Sequence, residues 1–137
     1  MTFASITSAF RDALLQDSDL VAQIGQRVYS QTLPQNPTFP CITFQQLSSE
    51  VIDDVNNNHS LEKVIFQVDV WSNRGAECNS VSELLRQAIS GYAGMNRGVK
   101  IKAIRLTSRR DRYEPEVKNY RKIHDFEIWH KELNLNE

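Results

Sequence analysis

The chain has 137 residues, of which 40% are hydrophobic and 24% charged, and its formal net charge is -1. These values fit one soluble globular domain over residues 1–137 and exclude the disordered, collagenous and coiled-coil classes. No stretch approaches the ~18 to 20 apolar residues of a membrane span, and no basic segment followed by an apolar run opens the chain, so neither membrane contact nor secretion is expected and the cytosol is the default.

Phe3, Ile6, Phe10, Ala13 and Leu14 recur at spacings of three and four, which predicts an amphipathic helix. Asp17, Ser18 and Asp19 interrupt it and can cap a second, short helix carrying Leu20, Val21 and Ile24, with Gly25 free to end it. A short extended piece is expected over 27–30. Residues 33–40 read as a connecting loop, because Pro34, Pro37 and Pro40 lack the backbone donor of a paired strand.

From Cys41 the pattern turns to β-branched and aromatic residues and predicts a strand over 41–47. A second strand answers it over 64–71, with Val64, Phe66, Val68 and Val70 on one face and Ile65, Gln67, Asp69 and Trp71 on the other. The intervening residues 48–60 include Asp53, Asp54, Asn56, Asn57, Asn58 and His59, a polar set that predicts a long hairpin with a mobile tip. Asn73 is the expected N-cap of the main helix, with Glu77 in its first turn. Val81, Leu84, Leu85, Ala88, Ile89 and Tyr92 form the helix's apolar stripe, and Gly91 and Gly94 end it. Strands over 99–108 and 120–130 complete the set, followed by a short polar C-terminal tail at 132–137.

The order α, short α, β, β, α, β, β predicts an α+β fold. It is a single domain with a largely antiparallel β-sheet, the long amphipathic helix on one face and an N-terminal helical segment. Phe66, Val68, Val70, Leu84, Leu85, Ile89, Phe126 and Ile128 are the expected core.

Chemical motifs are sparse. Cys41 and Cys78 are too few for a four-thiolate site and are expected as buried thiols. His124 and His130 lie ~20 Å apart along one strand, too far for a shared metal, and all three histidines are expected at the surface or partly packed. Nucleotide-loop, hydrolase-elbow and zinc-protease signatures do not occur. Asp111, Glu114, Glu116 and Lys118 resemble the parts of a metal-dependent nuclease, but they are expected to share one connection around Pro115 and so not to converge.

Charge is distributed unevenly. Residues 1–96 carry 5 basic and 10 acidic side chains, a net of -5; residues 97–124 carry 10 and 3, a net of +7; residues 125–137 carry 1 and 4, a net of -3. The basic block is either a solvated, internally paired sheet face, a surface for an acidic protein partner, or a contact for nucleic acid.

The ordered set Ile24-Gly25-Gln26-Arg27-Val28-Tyr29, Phe39-Pro40-Cys41-Ile42-Thr43-Phe44-Gln45 and Phe66-Gln67-Val68-Asp69-Val70-Trp71-Ser72 resembles the tail completion family of long-tailed bacteriophages, also described as tail-to-head joining or tail terminator proteins. Ile104-Arg105-Leu106, Arg110-Asp111-Arg112-Tyr113-Glu114-Pro115, Tyr120-Arg121 and Asp125-Phe126-Glu127-Ile128-Trp129 continue the resemblance, which spans residues 3–131. Cys41 departs from the aromatic or aliphatic residue expected after that proline.

The resemblance implies a non-enzymatic virion protein of the tail-neck region, without cofactor or metal, that is made and assembled in the host cytoplasm. Six copies would form a ring that caps the tail tube and presents a surface to the head connector or head-closure protein, with DNA passing through unread. A head-closure component, another neck protein, or a small nuclease or nucleic-acid-binding domain are the alternatives. Ring closure needs head-to-tail contacts, for which the hairpin residues Asp53, Asp54, Asn56, Asn57, Asn58 and His59 are candidates. Arginines repeated around a narrow channel would hold phosphates. Arg105, Arg109, Arg110 and Arg112 are therefore expected on a subunit or docking face.

Overall fold

The computed structural model describes residues 5–52 and 61–132. Helix α1 (Ile6–Leu15) starts where the Ser5 hydroxyl accepts the Ser8 N–H, and α2 (Ser18–Ile24) starts where the Asp17 carboxylate accepts the Leu20 N–H at 2.9 Å. Gly25, at φ 58°, ends α2 in a backbone region that a side chain would resist. Strands β1 (Val28–Ser30), β2 (Cys41–Ile52) and β3 (Leu61–Ser72) precede helix α3 (Gly75–Ile89), and β4 (Gly94–Asn96), β5 (Val99–Glu114) and β6 (Asn119–Glu132) follow it.

The six strands form one sheet in the order β1-β2-β3-β6-β5-β4. Only the short β1–β2 ladder is parallel; the other four are antiparallel. The α+β fold read from the sequence is therefore the fold observed.

Alternation along β3 sets the core. Val64, Phe66, Val68 and Val70 are fully buried under the helices together with Phe126 and Ile128 of β6, against Val81, Leu85 and Ile89 of α3. Phe10 of α1 fixes the N-terminal helices to the same face. Its ring lies 5.4 Å from Phe44 of β2 and 5.0 Å, edge-on, from Phe66 of β3. Leu84, expected in the core, is only half-buried at the margin of the stripe.

Several boundaries differ from expectation for identifiable reasons. The N-cap of α3 is Arg74 rather than Asn73, and it caps without a side-chain hydrogen bond. Ser72 supplies the polar anchoring instead: its hydroxyl accepts the Arg74 N–H at 3.1 Å and donates to Glu77 at 2.7 Å. Those contacts, with the Arg74 guanidinium, hold the Glu77 carboxyl below its ordinary range. Gly94 does not end α3 but begins β4, while Gly91, at φ 82°, turns the chain after Ser90. Arg97 and Gly98, both at positive φ, make the two-residue turn that folds β4 onto β5.

The long strands outrun the helices. The 41–47 strand extends to Ile52 and the 99–108 strand to Glu114, each across a register shift, between Gln46 and Ser48 and between Leu106 and Ser108. Leu85 is fully buried and Leu84 is not. Leu85→Ala should therefore lower stability by ~2–5 kcal/mol, and Leu84→Ala by clearly less, as measured by urea unfolding of the two variants.

Candidate assembly interface

Because the helices cover one face, the odd residues of β3 and their neighbours form an open face. Register across β2, β3, β6 and β5 aligns Thr43, Asp69, Ile123 and Arg110 in one row, and Cys41, Trp71, Arg121 and Arg112 in the next. Asp69 is buried, and Arg121 donates to it from two nitrogens at 3.1 and 2.7 Å. The same guanidinium sits 4.7 Å from the Trp71 ring centre, and the Trp71 N–H donates to Thr43 at 2.9 Å. At the far end of the face Lys63 lies over the Trp129 ring at 5.5 Å.

The four arginines grouped from the sequence do not act as one patch. Arg105, Arg110 and Arg112 share the open face, pairing with Glu127 at 3.9 Å, Asp125 at 3.1 Å and Glu114 at 2.9 Å. Arg109 pairs in register with His124, on the helix side, and reaches Glu83 of α3 at 2.7 Å. With Arg86 it draws the Glu83 carboxyl below its usual range. Lys122 meets Asp111 at 3.2 Å and Arg97 meets Asp12 across α1. Five basic side chains of the +7 segment, Arg97, Arg105, Arg109, Arg110 and Arg121, are thus matched by acids from elsewhere in the fold, and Arg112 and Lys122 by the segment's own Glu114 and Asp111. Asp53, Asp54, Asn56, Asn57, Asn58 and His59 lie outside the described residues.

The nuclease-like residues are also redistributed. Asp111 and Glu114 stand on β5, not in the turn, which is only the four residues 115–118. Asp111 lies by Lys122 on the helix side, whereas Glu114 takes Arg112 and Arg121 on the open side. The two carboxylates therefore face apart. A cleft of about 350 Å³ beside Gly75, Cys78, Tyr113 and Tyr120 has these already paired Asp111 and Arg121 side chains in its wall.

His124 and His130 are buried, contrary to the surface or partly packed positions expected of them. Their strand face is the core face, so both rings are drawn inward with Phe126 and Ile128. The His124 Nδ1–H donates to the Val68 carbonyl at 2.9 Å, which leaves Nε2 to accept the Ser82 hydroxyl at 2.7 Å. Sequence reasoning missed Ser82; its place between Val81 and Leu85 on the buried stripe was the available signal. Burial pushes the His124 pKa down, and the nearby Arg109 and Lys122 push the same way, against the Val68 hydrogen bond and the Asp69 charge. His130 donates from Nε2 to Glu62 at 3.1 Å. Cys41 and Cys78 are buried free thiols as expected, and burial raises both pKa values to about 11.

The margins of the sheet are uneven. β1 covers β2 only from Ile42 to Phe44, with the Gln31 N–H closing on the Phe44 carbonyl at 2.8 Å. β4 covers β5 only from Val99 to Ile101, with the Gly91 N–H closing on Ile104 at 2.8 Å. Among the described residues no strand pairs the outer edge of β2 over 45–52 or of β5 over 105–114. Leu47, Val51 and Ile52 are exposed along the first bare edge, and Tyr113, Val117 and Tyr120 near the second. The bare stretch of β2 runs to one end of the sheet, where Ile52 pairs with Leu61, and that of β5 to the other, where Tyr113 pairs with Tyr120 beside Ser72.

A family model described as tail completion protein gp17 matches residues 8–131. The fold is similar to a chain of a solved structure titled "Virion of native gene transfer agent (GTA) particle", at TM-score 0.67 and 16% identity, over 94% of this chain and 99% of that one. No curated protein matches the chain.

Two variants test the polar framework. Arg121→Met removes the two guanidinium hydrogen bonds to Oδ2 of the buried Asp69, leaving it the Gln67 amide, and should cost about 2 kcal/mol in urea unfolding. Because the folded state keeps His124 neutral while the unfolded chain protonates it near its ordinary pKa of about 6.5, stability should fall as pH drops below that value and be fully restored above it. His124→Gln should flatten that part of a melting-temperature profile between pH 7 and 5.

Proposed function

The chain belongs to the tail completion protein gp17 family and is a phage tail structural protein, and from this we propose that copies of it close into a ring, six in number, on the end of the tail tube. The ring ends tube growth, presents the joining surface to the head connector or head-closure protein, and lets DNA pass without reading it. Its place is the neck end of the virion tail. The role is non-enzymatic, a reading supported by carboxylates that face apart and are held in ion pairs.

The observation that best supports a ring is the placement of two bare strand edges on opposite margins of one sheet, one toward each end. A subunit in a closed ring touches two neighbours with two different surfaces, and this molecule offers two different edges. Asp53, Asp54, Asn56, Asn57, Asn58 and His59, which follow the bare β2 stretch in sequence, contact a neighbouring subunit or adjoining ring. Arg105, Arg110 and Arg112, on the open face of β5, and Arg109, on its helix side, belong to subunit or docking surfaces.

Particles assembled without the chain provide the test. Electron microscopy should show overlong or unjoined tails; tails of normal length joined to heads would reject the proposal.

A further inference from the structure

Resting on the ring reading, we propose that neighbouring copies are joined by backbone pairing of the β2 edge of one, residues 45–52, with the β5 edge of the next, residues 105–114. Long unpaired edges invite another strand and are normally covered in a finished protein. By contrast, β1 satisfies its own margin: the Val28 carbonyl accepts Arg11 at 3.1 Å, the Val28 N–H donates to Gln26, and the Ser30 carbonyl accepts Thr32. Among the described residues the two bare stretches therefore stand out as the places left for a partner.

A second copy of the chain is the occupant that fits both. β2 and β5 run in opposite directions through the antiparallel chain of β2, β3, β6 and β5, so copies related by rotation about an axis along the strands meet as an antiparallel pair. Phe44 and Ile104 turn their carbonyls to the outer edge. Alternation, carried across each register shift, then turns the backbone of Ser49 and Val51 outward on β2, and that of Arg109 and Asp111 outward on β5. When Val51 opposes Arg109 and Ser49 opposes Asp111, Glu50 falls opposite Arg110. Glu50 is the sole ionisable residue of 45–52, whereas 105–114 holds four arginines against Asp111 and Glu114. Pairing β5 with another β5 would set arginine against arginine; β2 against β5 sets unlike charges together.

The offset of the edges agrees with closure. Ser48 and Arg105 stand level across the sheet, so the bare part of β2 lies toward one end and that of β5 toward the other. The register above displaces each copy by six residues over four strands, roughly 20 Å along the strands against about 19 Å across them, a tilt of about 45° like that of closed barrels. The half-barrel curvature of the sheet has the same tendency.

Amide exchange and edge-blocking variants, assembled on tail tubes, test the proposal. Exchange over 46–52 and 106–113 should slow ~10-fold or more in the ring relative to the free subunit. Ser49→Pro and Asp111→Pro each remove an outward N–H and should abolish ring closure while keeping the wild-type circular dichroism spectrum; mixed, they should stop at pairs, since each retains one intact edge. Asp111→Asn, which keeps the backbone donor, should still close. A ring whose two edges exchange as fast as in the free subunit, or a folded proline variant that closes, overturns edge pairing alone. A wild-type chain that forms no ring overturns the ring reading and this inference with it.

Discussion

Strand β3 is the element on which the rest of the structure depends, because it is paired along nearly its whole length on both sides, with β2 and with β6. That double pairing satisfies its backbone without water and allows every second side chain to be buried completely. Val64, Phe66, Val68 and Val70 then give α1 and α3 an apolar floor, and the Phe10, Phe44 and Phe66 rings lock two helices' worth of chain to it. The His124 ring extends the arrangement. It ties the Val68 carbonyl of β3 to the Ser82 hydroxyl of α3 through β6, so one buried polar group links three elements and favours a single registration of helix on sheet.

Away from this centre the sheet ends in partly bare margins. The outer edges of β2 over 45–52 and of β5 over 105–114 carry no further strand among the described residues, although β2, β3, β6 and β5 stay paired side by side over almost their whole length. Ion pairs cross both margins: Lys63 with Glu50 between β3 and β2, and Arg121 with Glu114 between β6 and β5. Such exposed pairs contribute little each. Asp12, Asp69, Glu83, Asp125 and Glu127, all outside residues 97–124, take up part of that segment's positive excess.

The parts of this fold legible in the sequence were those governed by periodicity. The 3.6-residue stripe of α3, the alternation of β3 and β6 and the Asp17 cap all appear where residue spacing places them. What escaped was governed by contacts between distant segments. The extension of β5 to Glu114 through Arg109, Arg110 and Arg112 has no apolar alternation, because its pairing with β6 is held by charges and tyrosines on both faces. The short β4 was hidden because Gly94 reads equally as a helix stop, although Gly98 after Arg97 carried the signature of a tight turn. The histidines were misplaced because a polar ring signals exposure until a serine 42 positions away is found facing it. For the proposed interface, the division of the four arginines between two faces and the bare edges of β2 and β5 required knowledge of which strands are neighbours.

The open face has one further consequence. The chain has two tryptophans, and both Trp71 and Trp129 lie on that face, each under a cationic side chain and each with its indole N–H engaged by a neighbouring side-chain oxygen. Intrinsic tryptophan fluorescence in this protein is therefore a local reporter. It senses whether the uncovered side of the sheet is wet, paired or occupied, and it has no chromophore among the helices with which to report on the apolar core.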